Sequence, residues 1–449
     1  MFDLEKQIAD WRDFLHKKGK ISDSHLLEME SHLRDEVEDL KESGLSEEEA
    51  FLIAARRFGN LHEISREYQK VNTEQLWKQL LIGTDTELTK DDNKKLIGLV
   101  IIFSVMAGTL MKLPEWLGIA MDTNELFFLK NFSFFILPFA GLFFLLKNRI
   151  ENKKIWSLLG IYVVLIFPVN LYPFVEPNDT AFLMALHLPL FFWLITGVFY
   201  MGQEWKSSRE RMNFVRFTGE AFIYGTLITC GLIVLMVFIM AIFQAIDIDA
   251  SLFVGDVLIY YGISGAVMTT IFLVETKKSM VENFAPVLAK IFSPFFLMAI
   301  IVFLITVVVT DTSPFMDRNY LIAFDFMLMM VLALVLYVIS ARDQESPPNF
   351  FDYLNLALVF TALVIDGIAL SAIVFRLSIY GVTPNKMAAL GENVVMLFNL
   401  LGLAFYYLRF ILKKGSFEQL IKFQTAYFNV YFIWFGFVVL IFPILFQFK

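Results

Sequence analysis

Beyond Lys95 the sequence is a series of long apolar runs separated by short polar loops. A helix of about 20 apolar residues spans the hydrocarbon core of a bilayer. Because lipid offers no partners to backbone N–H and C=O groups, such runs must be helical. Composition agrees, since 57% of the residues are hydrophobic and only 18% are charged, where a soluble domain has about 25% charged residues. We count eleven runs, over residues 96–112, 128–146, 155–173, 181–201, 220–246, 252–275, 289–310, 320–340, 354–375, 390–411 and 428–447.

The charges of the loops give an expected orientation, because loops on the cytoplasmic side carry an excess of Lys and Arg. One set of alternating loops holds sixteen basic residues, and the opposite set holds six. The acid-only segments 176–179 and 247–249 belong to the second set. The sequence therefore predicts an all-α polytopic transmembrane bundle of about eleven spans, with the N-terminus inside and the C-terminus outside.

The first 92 residues have a different character, with 22 acidic and 13 basic side chains, whereas the rest of the chain is nearly neutral. An acidic domain repels both nucleic acid and an anionic lipid surface, so we predict no nucleic-acid binding. Apolar residues between Leu26 and Leu40 recur every three or four positions, which is typical of an amphipathic helix. Gly44 is suited to end that helix, and Ser46 and Glu49 match a capping box for the next one.

These patterns divide the chain into three parts. Residues 1–75 form an acidic cytosolic helical domain, residues 76–94 a polar linker, and residues 95–449 the multi-pass transmembrane domain. A further short helix is predicted over residues 61–71. No apolar segment resembling a signal peptide opens the chain.

Polar residues of the N-terminal domain are candidates for docking a cytosolic protein partner, and they are Glu28, His32, Asp35 and Glu49. His25, Glu28 and His32 lie on one face of the predicted helix, which raises the alternative of a metal site. Without a further strong ligand we predict ordinary surface contacts and no metal.

Catalytic motifs are missing from the sequence. It contains no P-loop, no HExxH, no Gly-rich dinucleotide turn and no Gly-x-Ser-x-Gly, which argues against an ATPase or a familiar hydrolase. The single cysteine, Cys230, excludes intramolecular disulfides. We predict no cofactor and no enzymatic activity, with an intramembrane enzyme acting on a lipid-linked substrate as a lesser alternative.

Ionisable residues within membrane spans are costly, so each one is a candidate for a ligand or ion pathway. In the predicted orientation His187, Asp256, Asp325 and Asp366 fall in the outer half of the bilayer, and Glu392 and Asn393 begin span ten. Together these groups would line one polar vestibule that faces outward.

Each of these residues also has a structural alternative. Asp256 and Asp325 lie near the interface, and His187 precedes Pro189, which frees a backbone carbonyl for a hydrogen bond. Asp366 lies about ten residues from the outer end of its run, so it must be protonated, paired or in a water-filled cavity. Both structural pairing and a role in binding a ligand or proton remain open for Asp366.

The loop between spans nine and ten carries a helix-cap motif. Gly381 permits a tight turn, Thr383 caps the next helix, and Pro384 takes its first position, where no N–H donor is needed. The positive end of that helix and the nearby candidates Arg376, Tyr380 and Lys386 favour an anionic partner, either Asp366 or a solute. The alternative is a capped turn whose Arg and Lys reach lipid phosphates.

Residues 28–35, 44–50 and 54–59 resemble the permease prefix domain, a bacterial module that precedes membrane domains and is related to the domain beside PadR-type regulators. The resemblance covers roughly residues 5–72. It implies a cytosolic helical module with a regulatory or docking role, in a protein of the bacterial cytoplasmic (inner) membrane. Typical fusions continue into a transporter-type permease with a large extracytoplasmic domain, which this chain lacks.

Residues 376–386 look like the Arg…Tyr-Gly-Leu-Thr-Pro-x-Arg signature of the domain-of-unknown-function 4153 family of bacterial membrane proteins. The resemblance extends over residues 95–449, although only this motif is sharp. Val382 replaces the usual Leu, and Lys386 replaces an Arg, so a forked contact with an anion is lost. The family has no established activity, so the resemblance implies a membrane protein without a mechanism.

Two functions follow as hypotheses. In the first, the protein is permease-like and binds or transports a small solute or lipid through the outward-facing vestibule. In the second, it is a membrane sensor or complex subunit whose cytosolic helical domain docks a regulatory partner.

Overall fold

The computed structural model of the protein describes residues 4–8, 23–59, 90–148, 152–276, 278–309, 315 and 318–449. The chain divides into two compact units, Met1–Asn93 and Lys94–Lys449. The predicted helix over residues 61–71 and most of the predicted linker lie outside the described residues. A helix begins at Lys90, within residues 76–94 that the sequence assigns to the linker.

The N-terminal unit is helical over residues 4–8, α1 (Asp23–Glu42) and α2 (Glu47–Gly59). Its core joins the predicted apolar stripe of α1 to α2, and it consists of Ile8, Leu33, Val37, Leu40, Ala50, Phe51 and Ala54. Arg34 on α1 donates a hydrogen bond to Glu5 of the first segment at 2.6 Å and another to Glu30 of α1 itself at 2.8 Å. This unit therefore has a small hydrophobic core of its own.

The turn between α1 and α2 contains a capping box. Gly44 adopts a left-handed φ of 93°, which glycine tolerates without strain. The Ser46 amide donates to Glu49 Oε2 at 3.1 Å, and the Glu49 amide donates to Ser46 Oγ at 3.4 Å. The hydroxyl and amide of Ser46 lower the pKa of the Glu49 carboxyl below its ordinary value, because they stabilise the ionised form.

The membrane unit contains eleven helices that are long and apolar enough to cross a membrane among the described residues, which confirms the predicted number. These spans contain α3 (Lys90–Trp116), α4 (Glu125–Lys147), α5 (Asn152–Leu171), α6 (Asp179–Met201), α7 (Ser208–Gln244), α8 (Tyr260–Thr276), α9 (Lys278–Val309), α10 (Arg318–Ser340), α11 (Phe350–Tyr380), α12 (Pro384–Ile411) and α13 (Phe417–Leu440), and the sixth span, Val254–Thr276, also includes the segment before α8. A short terminal helix, α14 (Phe442–Leu445), follows α13. A π-helical segment, Val254–Ile259, leads into α8.

Successive loops lie at alternate ends of this unit. We call one end, with residues 117–124, 172–178, 245–250, 381–383 and the C-terminal residues, the acidic end. There the Val175 amide donates to the Phe448 carbonyl at 2.9 Å, and Thr180 donates to Lys449 at 2.7 Å. The opposite basic end includes residues 205–207, 341–349 and 412–416. The charge rule predicts that the acidic end is outside.

Two hydrophobic cores organise the membrane unit. The larger is built mainly from α10, α11, α12 and α13. The second joins α4, α5 and α6 to the far part of α13. α12 and α13 approach closely at Gly402, where an added Cβ would lie 1.9 Å from Cζ of Phe423. The bundle therefore has two groups of helices, with α13 packed into both.

The cap of α2 generates a prediction about pH. Replacing Glu49 with Ala should speed amide hydrogen exchange in α2 at neutral pH, measured by mass spectrometry on the full-length protein. Because the folded-state pKa of Glu49 is lowered, its contribution is complete above the ordinary glutamate pKa and is lost as the pH falls through the lower value. The difference between wild type and Glu49→Ala should therefore vanish in acid.

Glu48→Ala is the matched control for this experiment. Glu48 lies in the same first turn, so its loss removes a charge favourable to the helix N-terminus but leaves the box intact. Equal exchange in the two variants would show that the box contributes no more than this general charge effect.

Candidate functional site

Four membrane helices bring polar side chains together in the half of the bundle nearer the acidic end. α6 supplies His187, α10 supplies Asp325, α11 supplies Asp366, and α12 supplies the consecutive residues Glu392 and Asn393. We call these five residues the polar array. It contains three of the predicted site residues, together with the two residues that begin the predicted span ten.

His187 and Glu392 form one part of the array. His187 Nε2 lies 2.6 Å from Glu392 Oε1, and Nδ1 lies 2.7 Å from the carbonyl oxygen of Leu183. A carbonyl oxygen only accepts hydrogen bonds, so Nδ1 carries a hydrogen. The contact with Glu392 then requires one more proton, either on Nε2 or on the carboxyl group. The pair therefore shares a single proton between two titratable groups.

His187 does not bind the carbonyl that Pro189 frees, which was the structural alternative from the sequence. A proline frees the carbonyl four residues before it, which here belongs to Ala185, whereas the histidine contacts Leu183. His187 is buried, and the Glu392 side chain is 32% exposed. Glu392 is thus the member of the pair that reaches the surface of the protein.

Asn393 joins α12 to α10. Its Nδ2 donates to Asp325 Oδ1 at 2.9 Å and to the carbonyl of Ala389 at 2.9 Å. The residue is fully buried, and its Oδ1 has no hydrogen-bond partner. Such an acceptor is unusual, because more than nine in ten buried polar groups are satisfied.

Asp366 is the deepest member of the array. Its exposure is 0%, and neither carboxyl oxygen has a hydrogen-bond partner. Asp366 interacts electrostatically with Asp325, which in turn interacts with Glu392. The sequence left open a structural pairing of Asp366, and no described side chain forms a hydrogen bond with it. The same observation excludes Asp366 as the anionic partner of the cap motif.

Asp256 lies in a separate ion cluster formed with α3. Lys112 Nζ contacts Asp256 Oδ1 at 2.5 Å and also pairs with Glu115, to which the Tyr260 hydroxyl donates. The Lys112 ammonium lies 4.8 Å from the centroid of the Tyr260 ring. The sequence placed Asp256 in one vestibule with the residues of the polar array, whereas in the structure its ionic partner is Lys112 on α3.

Arg376, Tyr380 and Lys386 meet at the acidic end. The guanidinium of Arg376 lies 5.8 Å and the ammonium of Lys386 lies 5.6 Å from the centroid of the Tyr380 ring. Lys386 donates to the carbonyls of Tyr380 at 3.2 Å and Gly381 at 2.8 Å. Its charge thus binds the C-terminal end of α11, where cations are favourable.

The cap motif has the local geometry expected from its residues. Gly381 ends α11 with a φ of 71°, and Thr383 accepts a hydrogen bond from the Lys386 amide at 3.4 Å. Pro384 is the first residue of α12. This turn fixes the start of α12, and hence the positions of Glu392 and Asn393 two to three turns later.

Sequence reasoning missed a buried ion pair at the basic end. Asp352 accepts hydrogen bonds from Arg342 at 2.8 and 3.0 Å, and the guanidinium lies 4.7 and 4.4 Å from the centroids of the Phe410 and Phe417 rings. Asn349 and Asp352 form a capping box for α11. Their three-residue spacing was a signal available in the sequence.

Other polar sites are also away from the array. Lys147 and Glu275 pair near the basic end. Among the residues that the structure describes, no three His, Cys, Asp or Glu are grouped so as to hold a metal ion. In the N-terminal unit, Asp35 and Glu49 are exposed, whereas the side chains of His25, Glu28 and His32 lie outside the described part.

A cavity of about 460 Å³ opens near the acidic end. Its lining is almost entirely apolar and includes Phe128, Phe132, Phe135 and Phe182, with Tyr260 from the Lys112 cluster. No residue of the polar array lines it. The cavity has the apolar character suited to hydrocarbon rather than to a polar solute.

Comparisons of the chain with protein-family models, with curated proteins and with solved structures each gave no match.

The two buried aspartates of α11 should respond differently to replacement. Asp352→Asn should destabilise the protein by about 3–5 kcal/mol, because it leaves a buried guanidinium without its charged partner. Asp366→Asn should leave stability unchanged or raise it, because the native carboxyl has no hydrogen-bond partner to lose. Thermal unfolding of the detergent-solubilised variants measures both effects. A similar loss in Asp366→Asn would assign that residue a structural role.

Proposed function

We propose that the membrane unit is permease-like and that it binds or transports a small solute or lipid through a polar site that opens toward the acidic end. The observation that carries this proposal is the convergence of the polar array from four helices. Ionisable residues in membrane spans are rare, and they mark substrate and ion pathways in membrane proteins.

The arrangement of partners supports a role beyond stability. Buried charges that serve only the fold are paired, as Arg342 is with Asp352. The array instead holds Asp366 without a hydrogen-bond partner and places a second carboxylate, Asp325, within electrostatic range of it. This arrangement is costly for the fold, and a requirement for binding or transport explains its presence.

The position of the array supports an opening at the acidic end. His187 is eight residues from the start of α6, and Asn393 is nine residues from the start of α12, which is about 12–14 Å along a helix. The charge rule and the resemblance to the permease prefix domain support an acidic end that faces outward from a bacterial inner membrane. We propose that solute reaches the array past Glu392.

Uptake into proteoliposomes tests this proposal. Wild-type protein would be assayed with a panel of labelled amino acids, sugars, nucleosides, organic anions and phospholipids. We expect transport of one class, with Glu392→Gln slower by about tenfold or more, since a charged hydrogen bond contributes about 1.5–3 kcal/mol. Absence of transport for every class would contradict the proposal.

Asp247→Asn is the matched control for Glu392→Gln. It makes the same change from carboxylate to amide in an exposed loop at the acidic end. Asp247 has a φ of 56°, a conformation that Asn also tolerates. Equal loss in both variants would show that the effect belongs to surface charge and not to the array.

A second candidate function is that of a sensor or complex subunit. The observation that favours it is the separate N-terminal unit, which has its own core and presents the exposed acids Asp35, Glu38 and Asp39 on α1. Such a surface suits a partner with a basic patch, because complementary charge speeds association and selects partners.

Crosslinking and pull-down from native membranes test this second function. A partner of this kind should be lost when residues 1–75 are removed, and its recovery should fall in Asp35→Lys, which places a like charge against the basic patch. Glu345→Lys, in an exposed loop at the basic end, is the control and should retain the partner. Retention of the same proteins by all variants would contradict a docking role for α1.

A further inference from the structure

The centre of the polar array has many hydrogen-bond acceptors and almost no donors. The two oxygens of Asp366 and the Oδ1 of Asn393 are buried acceptors without partners. The donor among these groups is the Asn393 amide, and it is already used by Asp325 and Ala389. A cluster of acceptors lacks the hydrogen atoms that would satisfy it, and an added proton supplies one.

Among the side chains that the structure describes, the charged groups near Asp366 supply no positive charge to it. Of the helices packed against α11, α10 contributes Asp325, and α12 contributes Glu392 and Asn393 at this level. On α9, residues 291–309 contain no titratable side chain. On α11 itself, Arg376 lies ten residues away, about 15 Å along the helix, and Asp352 and Tyr353 are at its other end.

The other described basic side chains of these helices lie at the ends of the bundle. Lys386 binds the carbonyls at the C-terminal end of α11. Lys290 lies near Phe351, and Arg409 bonds to the Lys414 carbonyl, both at the basic end. Asp366 is fully buried and lies within electrostatic range of the partly buried Asp325, so the repulsion between the two carboxylates opposes ionisation of both at once.

We propose that Asp366 and Asp325 form a proton-binding site in the membrane, in which the pair holds one proton and Asn393 fixes the position of Asp325. In the binding step one carboxylate oxygen takes up a proton and becomes a neutral acid, which lowers the charge of the pair from two to one. The new O–H is a donor in a group of unpartnered acceptors.

The proton reaches this site through Glu392 and His187. Glu392 is partly exposed, shares one proton with His187, and interacts electrostatically with Asp325. Chains of Asp, Glu and His carry protons in pumps and transporters. The inference rests on the proposed function in one respect, since the proton would be the ion that drives or accompanies solute movement, but the binding itself requires no solute.

Infrared spectroscopy of the full-length protein in a maltoside detergent tests proton binding directly, because this detergent has no carbonyl group. We expect wild type at neutral pH to show the carbonyl stretch of a protonated carboxyl, shifted in D₂O. Asp366→Asn should lose the intensity of one carboxyl, Asp325→Asn should change the pH at which the band titrates, and Asp247→Asn should match wild type.

Two results would overturn this assignment. One is an identical carboxyl band in wild type and Asp366→Asn across the whole pH range in which the protein is folded. The other is a spectrum in which Asp366 is ionised in sodium and in which its ionisation changes when choline replaces sodium. The site would then bind a metal cation and not a proton. Melting curves of each variant establish that it is folded.

The route is tested by the rate at which the same band shifts after transfer to D₂O. Glu392→Gln should keep the band but slow its exchange roughly a hundredfold, as expected for loss of a proton-transfer group. An unchanged rate would overturn the assigned route. These spectra need no transported solute. Proton binding would therefore stand even if the vesicle assay found no transport. If the spectra showed no proton binding, the uptake assay would still decide whether the protein transports a solute.

Discussion

The hydrocarbon core of a bilayer supplies neither hydrogen bonds nor solvation to a charge, and the rest of the structure depends on this constraint. Backbone groups satisfy this constraint by forming helices, eleven of which are of membrane length in the part of the chain that the structure describes. Most ionisable side chains meet it by pairing, as Lys112 does with Asp256 and Arg342 does with Asp352. Asp366 stands out because it is as deeply buried as any of them and its oxygens have no partner. The difference between these paired side chains and Asp366 singles out the polar array as the candidate site.

α12 has a central place in the polar array because of simple helix geometry. Consecutive residues on a helix point in directions about 100° apart, so Glu392 reaches α6 while Asn393 reaches α10. α6 belongs to the core of α4 and α5, whereas α10 belongs to the core of α11 and α13. A shift between these two groups of helices would separate His187 from Glu392 and alter how the array holds its protons. A rearrangement of the bundle would therefore change the contacts within the polar array.

The two proposed functions draw on different parts of the chain and are compatible. The N-terminal unit needs no membrane to form its core, since Leu33, Val37 and Phe51 pack within it. Its acidic surface disfavours anionic lipid and favours a basic protein partner. The polar array belongs to the membrane unit alone. A docked partner that regulates a permease would use both.

Much of the fold was set by the sequence itself. The number of spans follows from the length of the apolar runs and the thickness of a bilayer, because both act within a single segment. The caps at Ser46 and Thr383 were predictable for the same reason, since each involves residues three positions apart. At the linker the structure adds a detail that the apolar runs do not give, since the first membrane helix starts at Lys90.

Tertiary structure decided which candidates meet. Sequence placed Asp256, Asp325 and Asp366 in the outer half of the bilayer, yet Asp256 pairs with α3, whereas the other two lie within electrostatic range of each other. The roles of Glu392 and Asn393 depend on how α12 is rotated against two neighbours, and the Arg342–Asp352 pair depends on a loop closing over the Phe410 and Phe417 rings. The apolar runs locate the helices in the sequence, and thereby the position of each residue along its helix. The rotation and packing of helices, which arise from contacts between distant segments, fix what that residue touches.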